Sequence, residues 1–98
     1  MYNPLPNCLT IKQSQIEGLG LFATENIAAN TDLGISHIKD NRFIHEHIRT
    51  PLGGFVNYSD NPNCEFINDL DLIKLKTIKN IKAGEELVAI YTLYNLFE

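Results

Sequence analysis

The segment GGFVNYSDNPNC, residues 53–64, differs most from the rest of the chain. Its twelve positions hold two glycines, one proline and three asparagines, which are residues typical of turns and irregular backbone. Phe55 and Val56 nevertheless stand in its first half, and apolar side chains of this size are normally buried. A surface loop would need neither of them. We therefore interpret the segment as irregular backbone tied to the core, and as a candidate functional site.

Length and composition predict one globular domain. A chain of 98 residues supports a single hydrophobic core, so we expect one domain over residues 1–98. The 44% hydrophobic and 20% charged residues are typical of a folded protein. No apolar run reaches the roughly 20 residues that cross a bilayer, and the N-terminal MYNPLPNC has no signal-peptide pattern. We expect a soluble intracellular protein, cytoplasmic or nuclear, with no membrane partner.

The net charge and the spacing of Cys and His residues argue against nucleic-acid binding and against a metal site. The net charge of −4 disfavours direct nucleic-acid binding, which needs a basic face. An acidic surface suits a basic partner, although solubility alone would give so small a net charge. Cys8 and Cys64 are the only cysteines, and we interpret them as small buried hydrophobes. Because His37, His45 and His47 do not pair with them at finger-like spacing, no metal site is expected.

The alternation of apolar and polar residues predicts six or more short strands. They are CLTIKQSQ (8–15), LGLFAT (19–24), a segment around Leu33 to Ile38, CEFIN (64–68), DLIKLKTIKNI (71–81) and LVAIY (87–91). The strand at 19–24 is apolar on both faces, which indicates a central position. Residues 39–52 predict one or two helical turns with four side chains on one face: Phe43, Ile44, His47 and Ile48. The pattern predicts a mostly β fold of small sheets with little helix.

Three short motifs follow one another along the chain: GLGLFA (18–23), FVNYSDNPNC (55–64) and AGEELVAIY (83–91). Together they resemble the SET domain, the fold of lysine methyltransferases that use S-adenosylmethionine. That family carries a Gly-x-Gly before apolar-Phe-Ala, an Asn-His-Ser segment ending in Pro-Asn, and a Gly-Glu-Glu-Leu strand ending in Tyr. The resemblance covers about residues 8–94, without the zinc-binding segments that flank other SET domains. It implies a C-terminal pseudoknot, in which residues 53–64 form a loop around the last strand.

The resemblance also implies site residues. The cofactor S-adenosylmethionine would contact the turn at Gly18, Leu19 and Gly20, while Asn57 and the backbone of Tyr58 would bind it from the second piece. Tyr91 would be the catalytic tyrosine. Two aromatic residues of the tail, Tyr94 and Phe97, would either stack on the adenine or cap the core.

Each of these residues also has a plain structural interpretation. The glycines can serve a hairpin turn only, Asn57 and Asn63 can serve a turn with nothing bound, and Tyr91 can be a core aromatic. Glu85 and Glu86 are neighbours on a strand entry and point to opposite sides, so we interpret them as a solvated turn residue and a structural contact.

The chain departs from the family pattern in ways that leave two functions open. Tyr58 stands where the family has His, Ile90 stands where it often has Asp, the insert before the loop is short, and only LYNLFE follows near the end. The first hypothesis is a lysine methyltransferase acting on a basic, possibly histone-like, protein. The second is a catalytically inactive SET-fold binding module. A homodimer with the C-terminal tail at its interface would close the site.

Overall fold

Strands account for most of the regular structure. The computed structural model describes residues 5–39 and 47–90. In chain order, the elements are β1 (Leu9–Gln13), β2 (Leu19–Ala23), β3 (Asp32–Lys39), β4 (His47–Arg49), α1 (Pro51–Gly54), β5 (Asn57–Tyr58), β6 (Cys64–Asp69), β7 (Leu72–Thr77) and β8 (Glu86–Ala89). They form two four-stranded sheets, ordered β1-β2-β8-β5 and β4-β3-β7-β6. The mostly β fold of small sheets is therefore confirmed. No helix in the described ranges is long and apolar enough to cross a membrane.

The first sheet holds the glycine turn and the last strand side by side. β1 and β2 form an antiparallel hairpin whose turn covers residues 14–18, and β2 also pairs with β8. The central position predicted for residues 19–24 is thus confirmed. β5 pairs with the other edge of β8 and runs parallel to it, with Asn57 opposite Val88 and Tyr58 opposite Ala89. Parallel pairing needs a long connection, and here it joins segments about thirty positions apart.

The second sheet follows the predicted alternation. In β7, three side chains point into the core and are fully buried: Ile73, Leu75 and Thr77. Their neighbours Leu72, Lys74 and Lys76 lie on the outer face and are half-buried. β3 contains two register shifts against β7, so that the consecutive residues Ser36 and His37 are both buried. A β-bulge places an extra residue opposite the partner strand and locally breaks the alternation.

One prediction for the middle of the chain is wrong. Residues 47–49 are strand β4, not helix, and Ile48 pairs with Ile38 of β3. The single helical turn comes later, at Pro51–Gly54, where Thr50 caps its start and accepts a hydrogen bond from the Gly53 amide. Sheet pairing overrides the helical periodicity because each residue of β4 gains partners on β3. Phe43 and Ile44 lie outside the described residues.

One apolar cluster connects the two sheets. Its buried members come from six strands, the helical turn and the loops: Leu9, Leu21, Ala23, Ile27, Leu33, Leu52, Val56, Cys64, Phe66, Ile73, Leu75, Ile81, Leu87 and Ala89. Val56 is only 2% exposed, and Phe55 packs against the same cluster. These two residues of the asparagine-rich segment therefore tie it to the core, as the sequence predicts.

Candidate functional site

Asn57 connects the second sequence motif to the first. It starts β5, and its side-chain amide nitrogen Nδ2 donates to the carbonyl oxygens of Glu17 (3.1 Å) and Leu19 (3.2 Å), on either side of Gly18. The same nitrogen donates to Glu86 Oε2 at 2.8 Å. Since Nδ2 faces the glycine turn, the amide oxygen Oδ1 faces the other way, and it accepts no hydrogen bond from the residues that the structure describes. Asn57 thus offers a fixed, open acceptor beside the turn.

Glu86 holds the centre of this arrangement. Its two carboxylate oxygens accept from the Ser14 hydroxyl at 2.8 and 2.9 Å, and Oε2 also accepts from Asn57. The Ser14 oxygen accepts in turn from the backbone amides of Ile16 (2.9 Å) and Glu17 (3.4 Å). One carboxylate of β8 therefore connects the β1–β2 turn to β5.

Glu85 is the turn residue that the sequence predicts, whereas Glu86 has contacts within the candidate site. Glu85 Oε1 accepts from the Lys82 backbone amide at 2.7 Å, which closes the turn before β8. Glu86 is a structural contact, as expected, but the contact is with the candidate site itself. Strand alternation could have indicated this, because Glu86 lies on the same face of β8 as Val88, the residue paired with Asn57.

The two glycines of the turn serve different purposes. Gly18 has φ +50°, a left-handed conformation in which side chains are strained, and nothing surrounds the position of a Cβ atom there. At Gly20 the backbone is ordinary, but a Cβ atom would overlap the Glu86 carboxylate and lie 3.1 Å from Asn57 Nδ2. The missing side chain of Gly20 makes room for Glu86. That Gly18, Leu19 and Gly20 bind a cofactor stays a prediction.

Three large side chains on residues next to the site are exposed. Leu19 and Tyr58 are 51% and 49% exposed, and Ile16 in the turn is 52% exposed. Tyr58 pairs with Ala89, whereas Asn57 pairs with Val88. Since successive strand residues point to opposite faces, Tyr58 lies on the face opposite to Asn57, and the exposed apolar surface beside the glycine turn comes from Ile16 and Leu19. Such a surface suits the apolar part of a ligand.

Asn63 fixes β8 in place. Its Nδ2 donates to the Glu86 carbonyl oxygen and its Oδ1 accepts from the Val88 amide, both at 2.9 Å, while its own amide donates to the Val88 carbonyl at 3.2 Å. Near the start of the loop, the Ser59 amide donates to the Ala89 carbonyl at 3.1 Å. Loop residues on both sides of positions 60–62 therefore hold β8. The Asn63 side chain thus satisfies partly buried backbone groups of β8.

Three of the predicted site residues cannot be placed. Tyr91, Tyr94 and Phe97 lie outside the described residues, which end at Ile90. The strand that leads to Tyr91 does pass between the glycine turn and Asn57. No group of three or more His, Cys, Asp or Glu side chains that could hold a metal ion occurs within residues 5–39 and 47–90.

Neither cysteine has the character of a nucleophile. Burial raises the pKa of the Cys64 thiol from 9.0 to about 12, since the charged thiolate is disfavoured away from water. Burial also raises the pKa of Cys8, with a smaller effect from the nearby Glu25 carboxylate. Both thiols are free, and Cys64 belongs to the core. Cys64 therefore fits its interpretation as a small buried hydrophobe, whereas Cys8 is only half-buried and packs against the core.

The fold and the site together define a small two-sheet β protein in which an asparagine-rich loop holds the last strand against a glycine turn. The chain belongs to the SET-domain family, because the sequence model of the SET domain matches residues 36–92, more than half of its length. The match includes the asparagine loop and the Gly-Glu-Glu-Leu strand. The glycine turn at 18–20 precedes the matched range, and the structure brings it to them.

Solved structures share this fold. The chain is similar to the crystal structure of a proposed histone methyltransferase of Plasmodium falciparum, with TM-score 0.73, 20% identity, and coverage of 88% of this chain and 94% of that one. It is also similar to the methyltransferase domain of human PR domain-containing protein 2, with TM-score 0.68, 18% identity, and coverage of 87% and 77%. At these identities the likeness shows the fold alone. No curated protein sequence matches the chain significantly.

Proposed function

We propose that this SET-domain protein transfers a methyl group from S-adenosylmethionine to a lysine side chain of a protein. One observation carries the proposal: the Asn57 amide is bound to the carbonyls of Glu17 and Leu19, so two motifs distant in sequence form one site beside β8. The similar structures named as methyltransferases support the same activity.

The described residues fit the proposed cofactor. S-adenosylmethionine has an ammonium group that needs acceptors, and Asn57 Oδ1 faces away from the turn with acceptor capacity left. It also has an aromatic adenine ring, against whose face the exposed side chain of Leu19 would pack. Gly18, Leu19 and Gly20 would supply backbone groups, and Tyr94 or Phe97 would cover the ring from the tail. When bound, the cofactor supplies an electrophilic methyl group.

The chain's own residues would then position and desolvate the lysine. A lysine amine must lose a proton before it can attack, which costs roughly 4 to 5 kcal/mol at pH 7 from an ordinary pKa of about 10.4. An apolar channel beside the end of β8 would disfavour the ammonium form and reduce that cost, and the side chains of Leu19 and Tyr58 would contribute to its wall. Tyr91 would orient the amine through its hydroxyl. Alignment of the two reacting atoms supplies the rest of the rate enhancement.

The proposed substrate is a basic protein segment. The net charge of −4 attracts such a partner and does not favour nucleic acid. The homodimer suggested by the C-terminal tail belongs to the same proposal, because residues of a second copy could close the site. Light scattering that shows only a monomer at assay concentration would remove the dimer and leave the activity proposal intact.

Tyr58 supports a second candidate, a SET-fold module that binds without turnover. Its side chain is half exposed at the end of β8, where the resembled motif has a histidine. If that histidine is needed for more than packing, this chain would bind the cofactor or a peptide and transfer nothing.

Calorimetry followed by mass spectrometry separates the candidates. S-adenosylmethionine should bind the wild-type protein, and a panel of lysine-containing basic peptides should gain one methyl unit or more. Binding without any methyl gain would favour the inactive module, and absence of binding would refute both.

Two variants test the assigned residues. Asn57→Ala should weaken cofactor binding by roughly tenfold, the worth of one or two hydrogen bonds. Asn61→Ala is the control, because the Asn61 side chain accepts only from the exposed Lys79 and lies outside the site. Tyr91→Phe should abolish or strongly reduce transfer while leaving cofactor affinity unchanged. Wild-type turnover in this variant would remove Tyr91 from the role.

A further inference from the structure

The Glu86 carboxylate has only neutral partners among the residues that the structure describes. Its carboxylate accepts from the Ser14 hydroxyl and from the Asn57 amide, and neither donor carries a charge. Among the side chains that the structure describes, no Lys, Arg or His forms an ion pair with it; the ion pairs of Lys74 with Asp32 and Asp69 belong to the other sheet. Glu86 is half-buried, and a cationic ligand bound nearby would supply the charged partner that these residues do not.

The position of this carboxylate makes it part of the ligand site. It occupies the space left by the missing side chain of Gly20, and it holds Asn57, the residue with the open acceptor. It also retains acceptor capacity: two oxygens offer about four lone-pair positions, while Ser14 and Asn57 donate two protons. A cationic ligand bound at the glycine turn would therefore experience this charge.

We propose that Glu86 makes the cofactor site prefer the cationic methyl donor to its neutral demethylated product. The proposal rests on the proposed function and extends it. At neutral pH, S-adenosylmethionine carries one net positive charge from its ammonium, sulfonium and carboxylate groups, and S-adenosylhomocysteine carries none. The methyl group leaves the sulfonium for a neutral amine, so the positive charge moves to the substrate. The cofactor's attraction to Glu86 falls at that step, which favours release of the product.

The test is the ratio of two affinities, measured by calorimetry without turnover. Glu86→Gln keeps the size of the side chain and removes its charge. We expect the preference for S-adenosylmethionine over S-adenosylhomocysteine to fall roughly tenfold in this variant, the size of one charge interaction in a partly hydrated site. A cationic, unreactive analogue with an amine in place of the methyl sulfonium should lose affinity as the methyl donor does.

Glu85→Gln is the matched control. It removes the same charge from the adjacent residue, whose side chain closes a turn away from the site. It should leave the ratio unchanged. A general loosening of the site in Glu86→Gln would weaken both ligands alike, so the ratio reports the charge and not the packing.

A second variant keeps the proposal testable if Glu86→Gln does not fold. Ser14→Lys places an ammonium group beside the retained Glu86 carboxylate and neutralises it, so this variant should lose the preference too. If wild type binds both ligands and the folded variants keep its ratio, the role of Glu86 is refuted while the methyltransferase proposal stands. If wild type binds neither ligand, the proposed function itself has failed.

Discussion

Asn63 shows how one side chain can replace part of a strand. Its amide donates to the Glu86 carbonyl and accepts from the Val88 amide, the same pair of groups that a neighbouring backbone would bind. Irregular backbone beside β8 could not form a regular ladder there, and a buried amide without a partner is costly. Asn63 thereby fixes the strand that carries Glu86 into the site.

Asn63→Ala should lower the free energy of unfolding by about 2 to 3 kcal/mol, because it removes two hydrogen bonds and leaves partly buried groups of β8 without them. Urea denaturation measures the change. Asn61→Ala, two positions earlier, should cost less than about 0.5 kcal/mol, since its side chain bonds only the exposed Lys79 amine. Equal losses in the two variants would contradict the role given to Asn63.

Cys64 makes stability depend on alkaline pH. The folded thiol has its pKa raised to about 12 by burial, against 9.0 for an ordinary thiol, so the unfolded chain releases the proton first. The contribution of Cys64 is therefore complete below pH 9 and is lost as pH rises towards about 12. We expect it to lower the free energy of unfolding by up to about 1.4 kcal/mol per pH unit in that range.

The comparison with Cys64→Ala isolates this effect. The variant should be less stable than wild type at neutral pH, because a small cavity replaces the sulfur, and its stability should fall less steeply above pH 9. Parallel pH profiles from denaturant titrations would show that Cys64 does not titrate on unfolding.

At the scale of elements, the helical turn α1 is held against β3 by two hydrogen bonds of Thr50, the residue that caps its start. The Thr50 hydroxyl donates to the Ile35 carbonyl at 2.7 Å, and the Thr50 amide donates to the Ser36 carbonyl at 2.9 Å. Gly53 then packs directly on the backbone of Ser36 and on the ring of His37. The turn carries Leu52 and leads to Phe55 and Val56, so it delivers the start of the loop to the core.

Gly53→Ala should destabilise the protein by at least about 2 kcal/mol, because the new Cβ atom would overlap the Ser36 carbonyl and lie 2.8 Å from His37 Cε1. Neither neighbour is the end of a flexible side chain. Gly54→Ala is the control, since nothing lies within 4 Å of its Cβ position. This variant should be neutral or more stable by up to about 1 kcal/mol, as a helical alanine restricts the unfolded chain. Thermal unfolding should rank the three proteins accordingly.

At the scale of the whole molecule, the site joins the β1–β2 hairpin, β5 and β8 of the first sheet, while each sheet supplies five of the fourteen buried core residues. A ligand bound across these three elements would stabilise the cooperative unit. If S-adenosylmethionine binds only the folded state, a concentration 100 times its Kd should add about 2.7 kcal/mol and raise the Tm by roughly 10 °C or more for a domain of this size.

The control for this thermal shift is a variant outside the site. Asn61→Ala should show the same rise at the same cofactor concentration, whereas Asn57→Ala should show a smaller one, because the contacts of Asn57 lie in the site and those of Asn61 do not. A wild-type Tm that is independent of cofactor concentration would argue against any cofactor site in the molecule.

Much of this architecture could be predicted from local patterns. The alternation in β7, the central place of β2 and the burial of Val56 all follow from which residues prefer water, and the structure agrees with each; Phe55 is half-buried and packs against the core. The exception is β4, where a helical period of apolar residues was overridden by pairing with β3. Three ordered motifs also sufficed to indicate the SET family, which the match over residues 36–92 shows.

Only the tertiary structure decided how the site is connected. Ser14 and Glu86 meet across 72 positions of sequence, and Asn57 reaches a turn that lies 38 to 40 positions earlier. No local period of hydrophobicity carries such a contact, because it arises from the parallel pairing of β5 with β8 and from the space left above Gly20. Burial preferences along the chain determined which faces point inward; long-range pairing decided which polar groups share a site.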